Sequence, residues 1–409
     1  MAHGPVTVTR WPAWLAAALV LTLTVGTLIA VALQAEFDGG LGAADWAAIR
    51  FTVTQAVISA LCSVALAVPV ARALARRQFR GRSVLITLLG APFLLPVIVA
   101  ILGLLAVFGR SGILNSALTA LGLPGVSIYG FQGVVLAHVF FNLPLATRLI
   151  LQGWLAIPAE RFRLAATLNA PVGRFLEWPM LRSVVPGALL VIFLICLTSF
   201  AVALTLGGGP KATTVELAIY QAVRFDFDLG RAAVLACVQF GLCAIAAFAA
   251  WSVTKMDGMG AGLDRVVQRW DGGRVWGDAM WLVIVSLFLA LPLLMVIWRG
   301  VPGLIEMPVS IWSAAMRSVL VAACSAMLCV ALSLALALRG GPLVALIGVL
   351  PLAASALVVG TGLFLIVFPF IAPADVALAV TILVNATLAL PFALRSLAPA
   401  VAAVEAEFG

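Results

Sequence analysis

Ala47-Ala48-Ile49-Arg50 recurs as Ala314-Ala315-Met316-Arg317, 267 residues later. The same offset carries Cys62 onto Cys329 and Arg72 onto Arg339. Pro92 and Gly103 then fall on Pro351 and Gly362 at an offset of 259, and Pro144, Arg148 and Glu160 fall on Pro391, Arg395 and Glu407 at 247. The offset shrinks only where the second copy has a shorter loop. Duplication on this scale, in an apolar chain, is the plan of a transporter, because two pseudo-symmetric halves can enclose one central path.

Composition fixes the solvent. Of 409 residues, 64% are hydrophobic and 10% charged, well above the apolar share of a soluble domain. The excess lies in runs of about 20 residues, enough for a helix to cross the hydrocarbon layer. Alternating ten-residue segments of a barrel are absent. The expected fold is all-α, a polytopic helical membrane protein with two tandem repeats. Ten spans are expected, at 12–34, 50–71, 84–108, 130–150, 187–206, 231–254, 279–298, 313–338, 343–371 and 375–394. The first is too long for a signal peptide and lacks a cleavage site.

The net charge of +8 is mostly arginine placed between spans, so membrane topology explains it better than nucleic-acid binding does. Arg72, Arg76, Arg77, Arg80 and Arg82 crowd one loop, Arg148 to Arg182 a second, and Lys255 to Arg274 a third. These alternate with loops of mixed charge, which puts them and the N-terminus in the cytoplasm. Trp11, Trp14, Trp46, Trp281, Trp298 and Trp312 sit near span ends as interfacial anchors. The repeat divides the chain into 1–46, a peripheral helix and outer loop; 47–254, a first core; 255–312, a linker and second peripheral helix; and 313–409, an incomplete second core. At the 247 offset the counterpart of Leu164 falls just beyond Gly409, so twelve spans are expected of the full plan and ten of this chain.

Chemistry-bearing residues are few. The six cysteines lie inside apolar runs without metal-ligand spacing, and read as small packing residues. The spans are nearly free of acids, which argues against a proton- or sodium-coupled carrier. His138 and Asn142 are the exceptions to the apolar rule in the fourth span; they bond within the bundle or line the path. No constellation of His, Asp, Glu or Cys suits an enzyme, and no cofactor is implied.

Two loops stand out. The long inner one, 152–186, contains Pro158-Ala159-Glu160-Arg161-Phe162-Arg163-Leu164-Ala165-Ala166-Thr167, a helix start followed by strong helix formers. Ala165 and Ala166 permit close approach of a partner, and Pro171, Pro179 and Pro186 break the rest of the loop into short pieces. The loop resembles the "EAA" coupling loop of ABC importer permeases, through Leu164-Ala165-Ala166 and Leu176-Glu177-Trp178-Pro179. It departs from that pattern where Leu164 replaces the leading Glu and Asn169 or Ala170 the Gly, and where the distance to Pro179 is shorter. The outer one runs Gly207-Gly208-Gly209-Pro210-Lys211-Ala212-Thr213-Thr214-Val215-Glu216 to Ala222. Its glycines allow a sharp turn. Thr213 or Thr214 caps a short amphipathic helix with Glu216 in the first turn. The spacing of a phosphate-binding loop is missing.

This second stretch, with Phe225-Asp226-Phe227-Asp228 and Arg231-Ala232-Ala233, resembles the thiamine importer permeases. The resemblance covers essentially the whole chain. It implies two MetI-like type I permease repeats in one polypeptide, in a bacterial inner membrane. It implies two copies of an ABC ATPase inside and a periplasmic thiamine-binding protein outside, with lipid around the spans and no nucleic acid. It makes Glu160, Arg163, Leu164, Ala165, Ala166, Asn169, Ala170 and Pro179 the ATPase-coupling residues. It makes Gly207, Gly208, Gly209, Lys211, Thr213 and Glu216 the contact for the binding protein. A ferric-iron importer permease shares the duplicated plan and is the nearest alternative.

Overall fold

The computed structural model describes residues 11–35, 40–207, 209, 212–253, 266–267, 275–304, 307–339, 347–348, 350–352 and 355–408. The linker arginines and lysine of 255–274, and Gly208, Pro210 and Lys211, lie outside them. In chain order the helices are α1 (Trp11–Leu21), α2 (Thr27–Gln34), α3 (Ala43–Arg76), α4 (Arg82–Leu88), α5 (Ala91–Leu94), α6 (Val97–Phe108), α7 (Ile113–Ala120), α8 (Phe131–Leu155), α9 (Ala159–Thr167), α10 (Trp178–Leu197), α11 (Ala201–Leu206), α12 (Val215–Gln221), α13 (Leu229–Val253), α14 (Val275–Gly300), α15 (Val309–Arg339), α16 (Ala356–Val367) and α17 (Pro373–Phe408). A π-turn, Thr22–Gly26, joins α1 to α2.

Nine helical stretches among the described residues are long and apolar enough to cross a membrane. Three of the ten expected spans come out differently. The run 84–108 is broken into α4, α5 and α6, because Pro92 and Pro96 each interrupt the backbone ladder. The run 187–206 belongs to a helix that starts earlier, at Trp178, and ends at Leu197. Of 343–371, residues 343–346, 349 and 353–354 lie outside the described ones, and the rest includes a 3-10 turn, Leu350–Leu352, and α16, with 12 residues. Pro179 does not cut the chain; it lies early in α10, which continues directly from a π-turn, Gly173–Glu177. Pro186 is carried inside the same helix.

The duplication reappears as packing. α3 lies along α8, and α15, onto which α3 maps, lies along α17, onto which α8 maps. The buried face of α3 is rich in small residues, with Ala56, Ala60, Ala67 and Ala71 all essentially inaccessible. Such residues let backbones approach closely, the main source of helix association where lipid is as apolar as the side chains. The peripheral helices are exchanged. α1 and α2 pack on α15 and α16 of the second core, with α2 also against α13 of the first, while α14 packs on α3 and α6 of the first. Each exchange has its own glycine. A Cβ on Gly103 of α6 would meet the Pro292 carbonyl of α14, and one on Gly362 of α16 would meet the Thr27 carbonyl of α2. These are the two glycines that the sequence offset pairs, and each occupies the close crossing with the other repeat's peripheral helix.

Candidate functional site

The end of the bundle expected to face inward is built from the end of α3, the segment 156–177 and the start of α14. Arg72 grips Glu177 through two contacts, Nη2 to Oε2 at 2.7 Å and Nε to Oε1 at 3.0 Å, while Arg76 Nη2 stands 3.8 Å from Oε1. Glu177 is buried. Arg77 Nε reaches Asp278 Oδ2 of α14 at 2.8 Å. The basic end of α3 therefore fixes both the segment after α9 and the exchanged peripheral helix. Charge-assisted, bidentate contacts of this kind are the more rigid ones.

α9 rests on the bundle through Phe162 and Ala165, both buried. Its outer side carries Glu160, Arg163, Leu164 and Ala166, all exposed. Of the two alanines expected to admit a partner, Ala165 faces inward and Ala166 faces out. Leu164 and Leu168, 58% and 68% exposed, form an apolar strip that continues to Phe175. The helix closes at Asn169, whose φ of 48° is left-handed. Ala170 N donates to Ala165 O at 2.8 Å, and Asn169 N to Ala166 O at 3.2 Å. That double closure is a Schellman turn, with Asn169 in the position usually held by glycine. Of the two residues considered there, Asn169 and not Ala170 takes the left-handed position that glycine usually fills. Pro179 is exposed at the next helix start.

The end expected to face outward is built differently. Gly207 is buried at the close of α11, Gly209 is exposed, and Thr213 is half-buried. Thr214, the second of the two threonines considered, is the cap: its Oγ1 accepts from Leu217 N at 3.3 Å. From Val215 to Ile219 every residue of α12 is buried. Val215 N donates to Thr52 Oγ1 of α3 at 2.9 Å. Val215, Ala218 and Ile219 join Val31 of α2 and Val358 of α16 in one apolar cluster. Glu216 is 1% exposed and bonds to Ser355, the cap of α16, and to Gln239 of α13. It faces the interior and not the surface, which corrects the expected amphipathic placement. Burial pushes its carboxyl up to about 7, against the opposing pull of the Ser355 and Gln239 hydrogen bonds. The surface charge at this end is instead Arg231, bidentate on Asp45 Oδ1 at 2.8 and 3.1 Å and 3.3 Å from Asp226.

Between the two ends runs a polar seam. Thr52, Gln55, Ser59 and Ser63 are wholly buried along one face of α3. Their spacing of three and four residues is a signal that the sequence carried, set in an otherwise apolar span. Ser59 Oγ stands 3.4 Å from His138 Nδ1, and Asn142 Nδ2 donates to His138 O at 2.9 Å. Gln55 Nε2 donates to Cys196 O at 3.0 Å and Gln239 Nε2 to Leu197 O at 2.9 Å, so two amides close the end of α10. No group of three or more His, Cys, Asp or Glu among the described residues could hold a metal ion.

No family model matches the chain. Comparison with curated proteins does find relatives. The thiamine transport system permease protein ThiP of Salmonella typhimurium is 38% identical over 97% of this chain and 80% of its own length. That of Escherichia coli K12 is 40% identical over 86% of this chain and 69% of its own. That of Brucella abortus strain 2308 is 36% identical over 94% and 76%.

Proposed function

Because the chain belongs to the family of thiamine transport system permease proteins, we propose that it forms the membrane pathway of an ATP-driven importer for thiamine and its phosphates. It is a multi-pass protein of the inner membrane with its N-terminus in the cytoplasm. It is a pathway subunit, and ATP is hydrolysed by a separate protein. Two ATPase copies work from the inside, and a periplasmic binding protein delivers the cargo. The observation that carries this reading is similarity sustained over nearly the whole chain to relatives of that one name.

The inner end supports the division of labour. α9 and the segment after it offer Leu164, Leu168 and Phe175 to solvent beside Arg163 and Glu160. An apolar strip with a charged rim is a protein-docking surface. Its rigid link to α3 through Glu177 gives an ATPase on α9 a route to the core. Uptake of labelled thiamine tests the proposal, in a strain with no other route for it. The full chain, expressed with its ATPase and binding protein, is expected to restore uptake. Normal uptake after deletion of this gene alone would overturn the reading.

A further inference from the structure

α3, α12 and α13 carry buried oxygens with nothing to accept from. Gln55 Oε1, Gln239 Oε1 and Glu216 Oε1 all lack a hydrogen-bond partner, on side chains that are 0%, 0% and 1% exposed. The amide ends of Gln55 and Gln239 hold Cys196 O and Leu197 O, the last carbonyls of α10. Glu216 is bonded in turn to Gln239 and to Ser355. The end of a helix adds partial negative charge to the same place. Among the described residues, no arginine or lysine forms an ion pair with Glu216. A buried acceptor left unpaired is costly, and a buried acid without a counter-ion more so. Such a set is complementary to one chemistry: a positive charge with N–H donors.

The location is a junction between elements of the two repeats. Glu216 stands on α12, Gln239 on α13 and Ser355 at the start of α16, so its hydrogen bonds join the first core to the second. α10 breaks here, between Leu197 and α11. Interrupted helices whose ends face a midline path are where membrane carriers hold charged ligands.

We infer that Glu216, Gln239 and Gln55 form a recognition station for an organic cation, opened when α12 and α13 part from α16. The inference rests on the proposed importer reading and names the chemistry of the cargo that the path selects. Glu216 supplies the negative charge, and the two amide oxygens take N–H donors. Thiamine has both features, a positively charged thiazolium and an exocyclic amine.

The test uses the full chain in nanodiscs and in liposomes with its ATPase and binding protein. The probes are thiamine, its neutral thiophene isostere and sodium chloride. Wild type is expected to gain thermal stability with thiamine and not with the isostere or with sodium. Glu216→Gln, close to isosteric and able to keep the Ser355 bond, is expected to lose that gain. It is also expected to lower the thiamine-to-isostere uptake ratio about tenfold, the scale of one charge-assisted hydrogen bond. Glu216→Asp should recover part of the ratio. Loss of both cargoes by the same factor in Glu216→Gln would mark a strut and overturn the station. Sodium stabilising wild type but not the variant would overturn its assignment to an organic cation. Wild-type thiamine uptake with an unaltered ratio in the variant would sink the station and leave the importer reading intact. Thiamine stabilising wild type without being transported would do the reverse.

Discussion

α9 and α12 are both short helices in loops between spans, and the sequence presents both as surfaces for a partner. The structure separates them. α9 buries two side chains and turns Leu164, Ala166 and Leu168 outward. α12 buries five consecutive residues, the acid among them. The difference is in what lies behind each helix. α9 has only the bundle's inner end on one side. α12 is wedged among α3, α13 and α16, with both repeats covering it. One therefore leaves a face open to a partner, and the other is part of a seam that closes the molecule.

Arginine placed in each helix is the strongest way to break that distinction. Ala218 of α12 is 3% exposed, in the cluster with Val31 and Val358. Ala218→Arg puts an unpaired charge into a dry site, and the cost, about 4 kcal/mol or more, is of the order of a domain's total stability. The protein is expected to be recovered aggregated or degraded. Ala166→Arg on α9 should leave folding and insertion untouched and weaken ATPase attachment by about 2–5 kcal/mol. Size-exclusion profiles and co-purification ratios read the two effects apart. Ala166→Arg protein that retains its ATPase would remove α9 from the docking surface.

The contrast also marks how far the sequence reaches. The duplication, the fold class and the peripheral helices come from offset and hydropathy, and the pairing of Gly103 with Gly362 marks two equivalent crossings. The exchange of peripheral helices is not legible there, because a repeat offset states which residues correspond and not which copy each one touches. α9 is legible as a helix because a proline start and a run of helix formers are local signals. The burial of α12 is not: within a membrane protein, apolar residues face lipid or core alike, so Val215, Leu217 and Ile219 carry no direction. Glu216 is a first-turn acid in sequence and in structure, but its surroundings come from Ser355, 139 residues onward. The partner of Arg72 and Arg76 is hidden for the same reason, since Glu177 is 105 residues from Arg72.

A second prediction sharpens the seam side. The Glu216 carboxyl is raised from 4.5 to about 7 by burial, and the groups that meet it are Gln239 and Cys243 of α13 and Ser355 of α16. Its charged form is the one disfavoured in the closed molecule. Below pH 4.5 the acid is neutral whether folded or unfolded, and no penalty exists. Between 4.5 and 7 the unfolded chain ionises first, so stability falls as pH rises. Above about 7 the whole penalty, on the order of 3 kcal/mol, is present. Thermal unfolding of the ligand-free chain is expected to occur at higher temperature at about pH 5 than at about pH 8, and Glu216→Gln is expected to reduce that difference. An equal difference in the variant would place the pH response elsewhere.

The smallest effect concerns what shapes the docking side. Asn169 adopts a left-handed conformation, which asparagine tolerates and a β-branched residue does not. Asn169→Val should cost about 1–2 kcal/mol, because its Cβ substituents crowd the backbone at positive φ. Asn169→Gly should be near neutral, since glycine is the usual occupant of such a turn. The cost falls on the closure that joins Ala170 N to Ala165 O and sets the direction of the chain toward Phe175 and Glu177. If that closure holds Leu168 and Phe175 in one strip, the valine variant will lose part of its ATPase attachment while its spans stay folded. Hydrogen exchange should then rise at 165–172 and remain unchanged at α12. Exchange that rises equally at both ends would mean the two helices share one stability, and the distinction between a docking surface and a closing seam would fail.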